Sequence, residues 1–160
     1  MDSVLALDIG ERRIGVAVAK TEVKIASPLT TLDNTESIFE EIAELIKEHQ
    51  VVAIVVGLPL GMDGQETAQT HAVQQFAGEL RGHIKLPMYW QDEALSSHKA
   101  EEELAGRGKP FAKGEVDALA ATFILEDFLR EQSPEPMQGD TRPNRQSVVV
   151  GRDDYWPLYS

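Results

Sequence analysis

Six consecutive residues near the middle of the chain, Val51-Val52-Ala53-Ile54-Val55-Val56, form an apolar, mostly β-branched run that stops at Gly57. A strand with one wet face alternates apolar and polar residues. A run without alternation belongs to a strand buried on both faces. Such a strand is covered on both faces, as strands of α/β sheets are by helices.

The other elements fall around that strand. Residues 3–8 and 14–20 read as a β-hairpin, with Gly10, Glu11, Arg12 and Arg13 in its loop. A third strand is expected within residues 24–31, and Pro28 pushes it to an edge. Asp33 or Asn34 is expected to cap a helix over residues 34–49 with an inward stripe of Ile38, Ile42, Leu45 and Ile46. A second helix is predicted over residues 66–80, and a strand over 87–91 that ends at Asp92-Glu93. Ser96 or Ser97 caps a short helix reaching Ala105, a basic loop follows over 107–113, and the last core helix covers 114–130. The order β-β-β-α-β-α-β-α-α predicts a mixed sheet of about five strands flanked by helices, the first three antiparallel and those reached through helices parallel. Residues 1–131 are expected to form the domain. Residues 132–160 are polar and proline-rich, expected as a tail partly disordered or docked, with Val148–Val150 a candidate strand and the aromatic segment 155–159 a candidate to dock.

A length of 160 residues fits one domain. With no cysteine, disulfides and thiolate metal sites are excluded. No apolar run is long enough for a membrane span, and the N-terminus lacks a basic region followed by an apolar one, so a cytoplasmic protein is expected with no membrane partner. The net charge of -12 argues against a generic nucleic-acid binder. That argument weakens if the acids are segregated. Glu36, Glu40, Glu41, Glu44 and Glu48 cluster on one predicted helix, expected to face solvent away from any substrate.

The chemistry-bearing residues sit where elements begin or end. Asp8 closes the first strand, Asp92 and Glu93 close a later one expected to run parallel to it, and Asp117 lies in the first turn of the last helix. Ligands of α/β sheets collect beyond the carboxyl ends of parallel strands. Asp8 could simply begin a turn, and Asp117 could simply complement a helix dipole. Yet Ala118, Ala120 and Ala121 would let the helix end approach the sheet and carry Asp117 toward Asp8. Three carboxylates in one crevice suit Mg²⁺ or Mn²⁺, and a pair of such ions can bracket a phosphodiester. His49, His71, His83 and His98 are scattered, and no histidine is placed to make Ser96 or Ser97 a nucleophile.

Four blocks carry a resemblance. They are Leu7-Asp8-Ile9-Gly10 with Arg12-Arg13-Ile14-Gly15-Val16-Ala17, then Val55-Val56-Gly57-Leu58-Pro59-Leu60 with Met62-Asp63-Gly64, then Asp92-Glu93-Ala94-Leu95-Ser96-Ser97, then Val116-Asp117-Ala118-Leu119-Ala120-Ala121. In this order, over residues 4–130, the chain resembles the YqgF/RuvX family. The resemblance implies an RNase H-like fold related to Holliday junction resolvases, and an association with maturation of the 5′ end of 16S ribosomal RNA precursor. It also implies a catalytic triad of Asp8, Glu93 and Asp117 with Asp92 adjacent, all four serving as ligands of Mg²⁺ or Mn²⁺ in a two-metal site. One block departs from the family pattern: Ala94 stands where an arginine is usual, and Ser96-Ser97 where two threonines are usual.

Arg12 and Arg13 follow Asp8, while Arg107, Lys109 and Lys113 precede Asp117; with Lys99 they are the expected nucleic-acid-binding residues. The expected function is a metal-dependent nuclease acting on structured RNA, branched DNA or both, with a homodimer as one arrangement for junctions. A catalytically weak nucleic-acid-binding module of the same fold is the alternative, and Ala94 is its main support. An ATP-binding protein of the actin and sugar-kinase type also begins on Asp-x-Gly, but needs a longer chain.

Overall fold

The computed structural model describes residues 2–61, 63–93, 96–108, 113–131 and 135–137. The chain forms β1 (Ser3–Ile9), β2 (Arg13–Lys20), β3 (Ala26–Asp33), α1 (Ile38–Glu48), β4 (Val51–Leu58), α2 (Ala68–His83), β5 (Met88–Asp92), α3 (Ser96–Gly106), α4 (Lys113–Arg130) and β6 (Glu135–Pro136). The strands make one sheet in the order β3-β2-β1-β4-β5-β6. The first three strands are antiparallel; β1, β4 and β5 are mutually parallel. β3 is an edge strand, consistent with its Pro28. Among the described residues no helix is long and apolar enough to cross a membrane.

Alternation along the strands assigns the two faces. Leu5, Leu7 and Ile9 of β1, Ile14 and Val16 of β2, and Ile54 and Val56 of β4 pack under α1 and α2 with Ile38, Ile42, Val73 and Leu80. Val4, Ala6, Ala17, Ala19, Ala53 and Val55 turn to the opposite face, under Ala121, Ile124, Leu125 and Phe128 of α4. Helix α3 packs on α4 through Ala100, Leu104, Leu119 and Ala120. The continuous apolar run in β4 is thus explained by helices on both sides. The acid-rich α1 lies across the sheet from α4, and of Glu36, Glu40, Glu41, Glu44 and Glu48 all but Glu41 are exposed.

Several boundaries differ from expectation. β3 continues to Asp33, whose partner is Arg13. The helix over 34–49 therefore starts only at Ile38, and neither Asp33 nor Asn34 caps it. Asn34 instead pins the β1–β2 loop. Its side-chain amide donates to the Gly10 carbonyl at 3.0 Å, and its backbone N–H donates to the Arg12 carbonyl at 2.8 Å. Helix α2 starts at Ala68 because Thr67 and Thr70 form a reciprocal capping box, and it runs on to His83. The expected cap at Ser96 or Ser97 concerns side chains outside the described residues. Beyond Glu131, Glu135 and Pro136 add to the free edge of β5, and Met137 is buried, its N–H donating to the Met88 carbonyl. Proline is tolerated there because β6 is an edge. The candidate strand at 148–150 and the aromatic segment 155–159 lie outside the described residues.

The face of β2 under α4 carries Gly15, Ala17 and Ala19, all small. At Gly15 the fit is tightest: a Cβ there would lie 1.9 Å from the Asp117 carbonyl oxygen and 2.9 Å from the Ala118 nitrogen. Neither is a side chain that can swing away, so Gly15→Ala must push α4 off the sheet. We expect it to destabilise the fold by at least the ~1–3 kcal/mol typical of overpacking. Gly78→Ala, inside α2 where nothing lies within 4 Å of the added carbon, should instead stabilise by about 0.5–1 kcal/mol. Urea unfolding of both variants checks the opposite signs; a Gly15→Ala variant as stable as the wild type would show that α4 is not held this closely.

Candidate active site

Because β1 and β5 are both parallel to β4, their carboxyl ends open on one edge of the sheet. Asp8 is the penultimate residue of β1, and Asp92 is the last of β5. Glu93 follows at once, its N–H donating to the Leu58 carbonyl at 3.2 Å. By strand alternation Asp8 shares the face of Val4 and Ala6, the face covered by α4. Gly15 is directly opposite Asp8 in the β1–β2 ladder. The close approach at Gly15 therefore lays the first turns of α4, and Asp117 with them, beside Asp8.

Asp8 and Glu93 share a hydrogen bond, and the charges of Asp8 and Asp117 are close enough to couple. Burial is the main cause that raises the Asp8 carboxyl to about 6; the bond from Glu93 offsets it, and the Asp117 charge adds to it. Burial also leads for Glu93, pushed up to about 9, with the charge of Asp8, their hydrogen bond and the charge of Asp92 adding. Both carboxyls are thus held toward protonation, and the pair shares a proton across its hydrogen bond. Gly57 makes room for this arrangement: a Cβ on it would meet Glu93 Oε2 at 2.7 Å and Ile124 Cδ1 at 2.6 Å. Gly57 thus serves close packing.

Asp117 has a different partner. The Arg13 Nε donates to its Oδ2 at 2.7 Å, with side-chain exposures of 34% and 24%. The structure thus brings together Asp8, Glu93 and Asp117, while Asp92 is exposed at the rim. Among the described residues no three acidic or imidazole side chains form a ready ion cage; two of these acids share a proton and the third is paired with arginine. Of the expected basic residues, Arg12, Lys99, Arg107 and Lys113 are exposed. Arg107 lies 4.0 Å from Glu103 and lines a cleft with Pro28, Leu29, Leu104 and Gly114. Lys109 and Ala94 lie outside the described residues. Sequence reasoning gave Gly15 no packing role, read Asn34 as a cap, and missed the Arg13–Asp117 pair. The available signal was the spacing of Arg13, Gly15, Ala17 and Ala19, which share one strand face with unusually small residues.

Residues 2–131 match the family model described as RuvX: Holliday junction resolvase. The chain belongs to the RuvX family. A relative from Chloroflexus aurantiacus, named "Putative pre-16S rRNA nuclease", is 40% identical over 145 residues, covering 88% of this chain and 95% of its own. Relatives with the same name from Roseiflexus sp. and Shewanella oneidensis are 44% and 40% identical, covering 81% and 79% of this chain and 94% and 92% of theirs. Among solved structures, Thermus thermophilus RuvC in complex with a Holliday junction substrate superposes with a TM-score of 0.55 at 17% identity, covering 86% of this chain and all of that one. At that identity the likeness establishes the fold, the RNase H-like one expected from the RuvX motifs.

The shared proton has a measurable consequence. Both acids titrate above their ordinary values in the folded chain, so between the ordinary carboxylate range and about 9 the folded state binds more protons than the unfolded one. Stability must then fall as pH rises through that window. Glu93→Gln, which keeps the shape and a donor but cannot ionise, should flatten the dependence. Urea midpoints at about pH 5 and about pH 8.5, in chelator, test it; equal slopes for wild type and variant would show that the pair does not hold the proton.

Proposed function

We propose that this RuvX-family chain is a metal-dependent nuclease whose substrate is structured precursor RNA, processed at the 5′ end of 16S rRNA in the cytoplasm. The observation that carries the reading is the convergence of Asp8, Glu93 and Asp117 at the carboxyl edge of the sheet, with Asp8 and Glu93 raised by burial rather than neutralised by a basic residue. Two half-buried acids forced to share a proton destabilise the fold when both ionise, so no structural economy explains them. They do suit a hard cation, whose charge would take the place of the proton.

Asp8, Glu93 and Asp117, with Asp92 alongside, would hold Mg²⁺ or Mn²⁺, which when bound supplies an activated water and a Lewis acid for phosphodiester hydrolysis. The chain's own contribution is placement. β1 and β5 hold two of the acids on rigid strand ends, and the Gly15 contact brings the third on α4. The Asp8–Glu93 pair must give up its proton as the site is loaded, and the exposed Asp92 stands at the rim beside it. Exposed Arg12, Lys99, Arg107 and Lys113 supply cations that could meet phosphates, while most of the acids of α1 lie across the sheet. Precursor RNA is favoured over a DNA junction because relatives at about 40% identity over most of their length carry the RNA-processing name.

Cleavage of a 16S precursor 5′ segment and of a four-way DNA junction, each with Mn²⁺ or EDTA, tests the proposal. RNA cleavage should need the metal, and Asp8→Asn should lower it by at least about a hundredfold while the fold survives. Junction cleavage without RNA cleavage would move the substrate to branched DNA. Binding of either substrate without cleavage under all conditions would favour a non-catalytic nucleic-acid-binding module.

A further inference from the structure

Arg13 stands next to Arg12 in a loop-proximal pair that follows the first acid, the position of a phosphate contact. Its surroundings differ from those of its neighbour. Arg12 is exposed. Arg13 begins β2, and by the two-residue period of a strand it lies on the face of Gly15 and Ala17, turned to α4. We propose that Arg13 is a positioning residue that holds Asp117 at the acid pair, rather than a contact to substrate phosphates.

The geometry carries this. Gly15 fixes where the α4 backbone sits at Asp117, but the side chain of Asp117 still has to be aimed. It is negatively charged beside Asp8, which would drive it outward to solvent. The guanidinium two residues along the strand opposes that, with Nε 2.7 Å from Oδ2 and both side chains partly buried, where salt screens the pair less than at an open surface. The bond engages Oδ2, so the ion pair leaves Oδ1 for a cation. Arg13 and Gly15 thus act on one acid from one strand face, the glycine on its backbone and the arginine on its carboxylate. This role rests on the nuclease reading of the three acids.

Arg13→Gln is compared with the wild type and with Arg12→Ala in three measurements. These are Mn²⁺ binding by calorimetry without nucleic acid, RNA binding across salt in chelator, and steady-state cleavage with Mn²⁺. Loss of an outer partner of a ligand typically costs about 10–100-fold in metal affinity or activity. Arg13→Gln should therefore weaken Mn²⁺ binding and lower kcat within that range, while KM and the salt slope stay those of the wild type. Arg12→Ala should show the converse, a log–log salt slope flatter by about 0.7–0.9 with Mn²⁺ binding unchanged. If Arg13→Gln does not fold, Arg13→Lys, which keeps the charge but loses the planar fork, is read on the same measurements. A flattened slope with unchanged Mn²⁺ affinity would make Arg13 a phosphate contact. Tighter Mn²⁺ binding would make it a mere counter-charge, since removing a cation alone favours a second one. Either result overturns the proposal while leaving the nuclease reading intact. A wild type that neither binds Mn²⁺ nor cleaves RNA would overturn both.

Discussion

The contact between the backbone of α4 and Gly15 is the constraint on which the site depends. Helices usually rest on a sheet through side chains, at a distance those side chains set. Here one residue without a Cβ lets a carbonyl oxygen come down onto the strand itself. The small side chains that continue along β2, Ala17 and Ala19, keep the rest of that face shallow. The Thr31 hydroxyl adds a bond to the Gly114 carbonyl at 2.6 Å, tying the first turn of the helix to β3. Because Gly15 is also the ladder partner of Asp8, helix packing and site assembly are the same event.

Close packing at this edge sets a cost that function must offset. The Asp8–Glu93 pair is poorly solvated, so its two carboxyls cannot both ionise without penalty. The fold meets the penalty in two ways, with a shared proton for one pair and an arginine for the third acid. A chain with a net charge of -12 gains nothing in stability from grouping more acids. Their grouping at strand ends, with the acid-rich α1 placed across the sheet, is therefore not explained by stability.

Much of the fold is legible in the chain itself. The unbroken Val51–Val56 run pointed to a strand buried on both faces, and α2 and α4 cover them. The strand directions followed from which connections contain a helix. The candidate acids were visible as carboxylates at the ends of elements whose directions bring them to one edge of the sheet. Boundaries were less visible where a side chain bonds to a distant segment. Asn34 looks like a cap and instead fastens the Gly10 loop, since the better use of its amide is a carbonyl that no local pattern reveals. The Ser/Pro-rich stretch after Glu131 looks like a linker, yet two of its residues complete the edge of β5, because an unpaired strand edge will take any backbone that reaches it.

The sequence by itself determined the class of fold, the strand directions, and which acids would stand at the ends of strands, because those follow from hydrophobic period and local chain geometry. It also carried the RuvX-family motifs. Only the tertiary structure decided how the acids are paired. Whether Arg13 reaches Asp117, whether Gly57 leaves room for Glu93, and whether Asp8 and Glu93 share a hydrogen bond all turn on distances between segments far apart in the chain. Such distances are set by how closely α4 can approach β2, and that depends on the one side chain missing at Gly15.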